Sequence, residues 1–249
     1  MTHDNFSEMT AVLKVGSRTI KAEEIIPLLA GYQLLQPLLR AIIIDEAISE
    51  IDCTPDEKAQ ALAQFAQQNQ LTSPEAKQTW LSRQGMTEEQ LEEQALRGLK
   101  IEKFKQDIWG HKLESYFLNR KGKLDRVIYS LIRNQDPGVI QELYFRVNEG
   151  EQSFAELARE YSQGPEAQTG GLIGPVEMST PHPAIAQILS SSQPGDVCPP
   201  KRLGEWYVVV RLEKFIPAQL DEPMRQRLLN ECFTAWLSEQ LNQQMEEAR

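Results

Sequence analysis

The spacing of apolar residues changes along the chain, and each change marks a new segment. AVLKVGSRTIKA, residues 11–22, alternates about a glycine and predicts two short strands joined by a tight turn. From Glu23 the spacing lengthens to that of helices. Residues 23–36 and 37–51 are each rich in Ile and Leu. Pro37 is suited to open the second of these helices, where its missing N–H costs nothing, and Pro27 either sits in a first turn or kinks the first. Thr54-Pro55-Asp56-Glu57, Ser73-Pro74 and the Thr87/Gln90 pair each carry a helix-start signature. The helix opened by Thr87 bears Leu91, Ala95, Leu99, Phe104, Ile108, Leu113 and Phe117 as one stripe, and is expected to run to about Asn119.

Residues 120–126, RKGKLDR, are basic and contain a glycine, which predicts a link between domains. RVIYSLIR then reads as a strand from its β-branched content. Val139, Ile140, Leu143, Tyr144 and Val147 define an amphipathic helix. Ser153 and Glu156 form a capping box ahead of Phe154, Leu157, Ala158 and Tyr161, which share one helical face. Gly170, Gly171 and Gly174 punctuate the next strand, where direction changes tightly or backbones pack closely. A short helix is expected over 183–191, then a Pro-Gly turn at 194–195. Residues 206–210, WYVVV, contain no polar side chain and suit a central strand covered on both faces.

Pro217 closes that segment, and Asp221-Glu222-Pro223 opens a last helix. On it Leu228, Leu229, Cys232, Phe233, Trp236, Leu237, Leu241 and Met245 recur at three- and four-residue steps. A helix so apolar on one face does not stand alone in water. Its expected partner is the helical first part of the chain. The fold class is therefore α+β: an all-helical domain, discontinuous in sequence (1–125 with 217–249), into which an α+β domain (126–216), a small sheet flanked by helices, is inserted.

At 249 residues the chain has room for two domains, each with its own core. A formal net charge of −10 argues against a nucleic-acid backbone or an anionic membrane as the main partner. No apolar run reaches the ~18 residues of a spanning helix. The opening residues, MTHDNFSEMT, are polar and acidic rather than a secretory signal, so either the chain stays in the cytoplasm, the expected compartment, or a targeting segment has been removed. Cys53, Cys198 and Cys232 are far apart, and His3, His111 and His182 show no ligand spacing, so neither a metal nor an organic cofactor is expected. Paired carboxylates such as Glu92-Glu93 and Glu246-Glu247 read as solvated helix surface. No GxSxG, P-loop, HExxH or GxGxxG motif is present.

From Arg126 to Phe215 the chain resembles the parvulin family of peptidyl-prolyl isomerases. The resemblance rests on Phe154, Ala155, Leu157, Ala158, Tyr161 and Ser162, then Gly170, Gly171 and Gly174, then Pro194, Gly195 and Val197, at the family's spacing. The helical first part and the closing helix resemble, in layout, the chaperone part of SurA- and PrsA-type foldases. The resemblance implies a site that grips a proline ring in an apolar pocket and favours the twisted over the planar imide with a polar floor. It places the family's catalytic positions at Ser130 and Trp206 (histidines in active members), Gly164 (Cys or Asp) and Leu203 (Ser or Thr). It places the proline pocket at Met178, Pro181, Ile185 and Ile188, each of which reads equally well as ordinary core.

All four catalytic positions depart from the family's residues. The expectation is a protein that binds unfolded or proline-containing polypeptides, possibly export substrates, as a chaperone or foldase, with isomerase activity weak or lost. The alternative is an active isomerase with a non-standard pocket.

Overall fold

The computed structural model describes residues 11–247; the polar opening arm lies outside them, as does the side chain of Met245. The chain divides into two compact units, residues 11–111 with 226–247, and Lys112–Arg225. One is thus discontinuous in sequence and the other is inserted within it.

The discontinuous unit is helical apart from an antiparallel hairpin, β1 (Ala11–Val15) and β2 (Arg18–Lys21), which turns at Gly16. Helices α1 (Ala22–Gly31), α2 (Leu35–Ala47), α3 (Pro55–Gln68), α4 (Pro74–Gln84) and α5 (Glu88–Trp109) follow. Thr54 and Thr87 close reciprocal capping boxes with Glu57 and Gln90. Ser73 accepts the Ala76 N–H. The break between α1 and α2 falls at residues 32–34, not at Pro37, and Pro27 lies inside α1. The long helix stops at Trp109 rather than about Asn119. Residues Gly110–Lys112 form a 3-10 turn there, beginning at a glycine that gives helix little support.

Leu81, Leu91 and Phe104 are buried in this unit with Leu228, Leu229, Leu237 and Leu241 of the last helix, α10 (Glu222–Glu247). The rings of Trp109, Phe233 and Trp236 lie around Phe104 with centroids 5.2–6.4 Å from it. The Lys105 ammonium, within this apolar setting, donates to Asn230 Oδ1 at 2.6 Å. Among the described residues no single helix is long and apolar enough to cross a membrane.

The inserted unit opens with α6 (Leu113–Leu124), which absorbs most of the basic stretch expected to be a link, Gly122 included. It continues with β3 (Arg126–Asn134), α7 (Pro137–Glu149), α8 (Phe154–Tyr161), a 3-10 turn (Pro165–Thr169), β4 (Leu172–Glu177), α9 (Pro183–Ser191), β5 (Val197–Leu203) and β6 (Trp206–Ile216). The four strands pair antiparallel in the order β4-β3-β6-β5. The apolar run of β6 is accordingly central. Its odd and even residues feed two separate cores, as the alternation of a strand requires. Val208, Val210 and Leu212 join Val127, Tyr129 and Leu131 of β3, Met178, and Ile185 and Leu189 of α9. Val209 joins Ile132 of β3, Ile140 and Leu143 of α7, and Phe154, Leu157 and Ala158 of α8.

Strand β5 was not legible beforehand, because Pro199 and Pro200 lie within it. It is an edge strand, where a missing N–H leaves no gap in the ladder. At Gly171 the backbone takes φ +85°, and a Cβ there would stand 2.8 Å from the carbonyl oxygen of Leu131. Only glycine lets the chain pass this close to β3.

Candidate functional site

The sheet face that carries α9 collects most of the residues marked by the sequence. Met178 and Ile185 are buried in its core, and Leu203 and Trp206, half-buried, pack against the same cluster. Pro181 is buried and Ile188 half-buried, though neither belongs to that cluster.

Ser130 lies elsewhere. On β3 its neighbours Tyr129 and Leu131 belong to the α9 face, and strand alternation turns Ser130 to the other. There its hydroxyl donates to the Glu213 carboxylate, which also accepts from Arg211 Nε at 2.8 Å. The Arg211 guanidinium in turn lies 4.9 Å above the Phe154 ring, on the side of α8. A polar β3 side chain that does enter the α9 face is the phenol of Tyr129, only 5% exposed and paired in register with Leu212 of β6. A phenol retains a polar tip on an otherwise apolar surface.

Four residues after Tyr129 on β3, Arg133 takes the same side as Tyr129 and Leu131. Its guanidinium lies 5.6 Å from the Trp206 ring centroid. It grips Glu166 with two parallel bonds, Nε to Oε1 at 3.0 Å and Nη2 to Oε2 at 2.9 Å. The Glu166 side chain is 3% exposed and that of Arg133 29%. Ser162 completes the arrangement. Its hydroxyl donates to Glu166 Oε1 at 2.6 Å and accepts the Arg133 backbone N–H at 3.1 Å. A buried carboxylate held this way has its charge matched and its lone pairs used, the condition under which a buried ion pair is tolerated.

Gly164 adjoins this pair. A Cβ built there would collide with Nε and Nη2 of Arg133 and with Oε2 of Glu166. Burial and then the negative charge of Glu166 both push the Tyr129 phenol above the usual tyrosine range. The charged pair that the described residues place at Trp206 is therefore the Arg133 guanidinium with its Glu166 carboxylate. His182 caps α9, its Nδ1 accepting the Ala184 N–H at 3.2 Å, and His111 belongs to the helical unit. Among the described residues no three His, Cys, Asp or Glu side chains converge as metal ligands would.

Of the residues the sequence marked, Leu203, Trp206, Met178 and Ile185 thus lie on one face; Tyr129, Arg133 and Glu166, which the sequence did not mark, lie with or beside them. Alternation along β3 was the available signal for the first two. It puts residues 129, 131 and 133 on one side and 130 on the other.

Residues 134–214 match the family model of the rotamase, PPIC-type PPIase domain. The inserted unit therefore carries a parvulin-type domain. The chaperone SurA of Cupriavidus pinatubonensis is 24% identical over 226 residues, covering 79% of this chain and 44% of that protein. The SurA of Shewanella oneidensis is 28% identical over 119 residues, 44% of this chain and 27% of that protein. The chain spans less than half the length of these curated relatives. Among solved structures, peptidylprolyl isomerase PrsA from Bacillus cereus superposes with a TM-score of 0.51 at 17% identity, over 96% of this chain and 93% of that one. At that identity the likeness speaks for the fold, a parvulin domain inserted in a helical domain.

Proposed function

We propose that this chain acts as a foldase-type chaperone on unfolded, proline-containing polypeptides, export substrates among them. In this reading the α9 face of the inserted unit receives the proline ring, and the helical unit holds extended stretches of the same client. The observation that carries it is the meeting of Met178, Ile185, Leu203 and Trp206 on one sheet face. Burying a proline ring against such side chains is favourable at roughly 25 cal/mol per Å² of apolar surface removed from water. That grip needs no histidine.

Rate acceleration is a separate demand, because it requires groups that act on the twisted imide more strongly than on the planar one. With Trp206, Leu203 and Gly164 at three family catalytic positions, and Ser130 turned to the opposite face, any rate acceleration has to come from groups other than the family's, while binding does not depend on them. The helical unit supports the same reading. Leu13, Val15, Ile26, Tyr32, Leu34, Leu38 and Ile42 are exposed on its hairpin and first two helices. Exposed apolar surface on this scale marks a contact site.

The test is a titration of the ¹⁵N-labelled full chain with an unstructured peptide containing one Ala-Pro bond, beside its Ala-Ala counterpart. Amide shifts clustering at Met178, Ile185, Leu203 and Trp206, produced by the proline peptide alone, are expected. Shifts elsewhere, or equal shifts from both peptides, would remove the proline site. Failure to slow aggregation of a chemically unfolded client would remove the chaperone role.

A further inference from the structure

The polar floor of the α9 face has an arrangement that resemblance does not anticipate, and its unused N–H donor points to a use. Arg133 spends Nε and Nη2 on Glu166. Among the described residues Nη1 meets no acceptor, although the guanidinium is held firmly. Glu166 fixes it from one edge, the Trp206 ring bounds it at 5.6 Å, and the absent side chain of Gly164 leaves the room it fills. With 29% exposure, the group is neither sealed in the core nor loose in solvent.

We propose that Arg133 is a catalytic residue of this site, its Nη1–H donating to the ring nitrogen of a bound proline as the preceding bond twists. This rests on the reading that the α9 face binds proline. In the planar imide the nitrogen lone pair is delocalised into the carbonyl and accepts nothing. Rotation by a quarter turn ends that conjugation, and the nitrogen becomes a pyramidal acceptor. A donor aimed at nitrogen therefore stabilises the twisted state selectively, whereas one aimed at the carbonyl oxygen would favour the planar state, where that oxygen carries more charge. No bond to the protein forms and no proton is transferred.

The role of Glu166 and Ser162 is to position. The bidentate carboxylate fixes the guanidinium plane, so that little reorganisation is needed when the imide rotates. The positive charge of Arg133 is not cancelled at Nη1, because Glu166 binds the opposite edge. Lysine would keep the charge but lose the fork, and so the aim.

The experiment is cis/trans exchange of the Ala-Pro peptide, followed by NMR exchange spectroscopy, with the full chain and its variants. Arg133→Met alone leaves the Glu166 carboxylate buried without its partner. The decisive variant is therefore Arg133→Met with Glu166→Gln, which removes both charges and keeps an oxygen for Ser162. The full chain is expected to accelerate exchange, and the double variant to lose that acceleration by about tenfold or more, as for loss of a charged hydrogen bond. Peptide affinity should stay within about twofold, since the contact exists only in the twisted state. Arg133→Lys should recover part of the rate at most.

Equal acceleration by the double variant would overturn the assignment. So would a rate that falls in step with affinity, or a full chain that binds the peptide without accelerating its exchange. A full chain that does not bind the peptide would instead sink the proline-site reading, and this inference with it.

Discussion

The guanidinium of Arg133 and any side chain at Gly164 exclude one another. Gly164 has an ordinary extended backbone, φ −119° and ψ 174°, so no left-handed conformation demands a glycine there. Space does: a Cβ would collide with Arg133 Nε and Nη2 and with the Glu166 carboxylate. Gly164→Ala is therefore expected to destabilise the inserted unit by about 2 kcal/mol, the usual cost of forcing atoms into a filled site. Chemical denaturation measures it. An unchanged midpoint would mean that the ion pair shifts aside freely.

The Arg133–Glu166 pair is asymmetric, and so are the expected costs of breaking it. Glu166 is 3% exposed, so Arg133→Met strands a carboxylate in the interior at about 3 kcal/mol or more. Adding Glu166→Gln should recover most of that loss, because a neutral amide with Ser162 as partner is cheaper to bury than an unpaired charge. A double variant less stable than Arg133→Met would refute this account.

Alternation along β3 makes a sharper demand on activity. The parvulin resemblance implies an imidazole in the first strand and one in the last. The last-strand position is Trp206, and the sheet face it packs on carries Tyr129 of the first strand, opposite Leu212, and not Ser130. Tyr129→His with Trp206→His is expected to raise Ala-Pro exchange above that of the unmodified chain. Ser130→His with Trp206→His is expected not to, since the new imidazole would meet Glu213 and Phe154 on the other face. Exchange spectroscopy decides, and a reversed order would disprove the assignment of faces.

The two faces explain what was readable in advance and what was not. Helix starts at Thr54, Ser73, Thr87 and Ser153 were legible because each is a local signal, a side chain capping N–H groups three residues away. The central position of β6 was legible from its unbroken apolar run. The four residues on the α9 face followed from family spacing. Ser130 lies on the other face, which family spacing alone does not reveal, because in a strand one residue is the whole difference between the two sides. A register shift between Ile128 and Tyr129 lies just before it. Arg133 and Glu166 were not legible at all. They meet across 33 positions, and each alone reads as an ordinary surface charge.

Tyr129 gives a signature in pH. Its pKa is raised by burial and then by the negative charge of Glu166, so the folded chain holds the phenolic proton more tightly than the unfolded chain. The sign follows from linkage. The stability associated with neutral Tyr129 is fully present below the unfolded value, near 10, and is lost as pH rises through the higher folded value. Ultraviolet titration of the folded chain should show a late-ionising phenol that is missing from Tyr129→Phe. Glu166→Gln should bring that ionisation earlier but leave it late, since burial is the larger cause. A Tyr129→Phe variant with an unchanged titration curve would contradict the burial of this phenol.

The last helix makes the helical unit cooperative, and Phe104 is where that shows. Its ring lies 5.2 Å from Trp236, 5.7 Å from Trp109 and 6.4 Å from Phe233, so residues far apart in the sequence share one aromatic cluster. The neighbouring Lys105 reinforces it, with its ammonium 5.1 Å from the Phe233 ring centroid and bonded to Asn230. Phe104→Ala should cost about 3–5 kcal/mol, the loss for a large aromatic side chain that leaves a cavity behind. Trp236→Ala should cost somewhat less, because Trp236 is only half-buried. The two rings touch the same neighbours, so their combined removal is expected to fall short of the sum of the single losses by about 1 kcal/mol. A double-mutant cycle in denaturant, read by circular dichroism, measures that shortfall. Strict additivity would show that α10 and α5 are stabilised independently of this cluster.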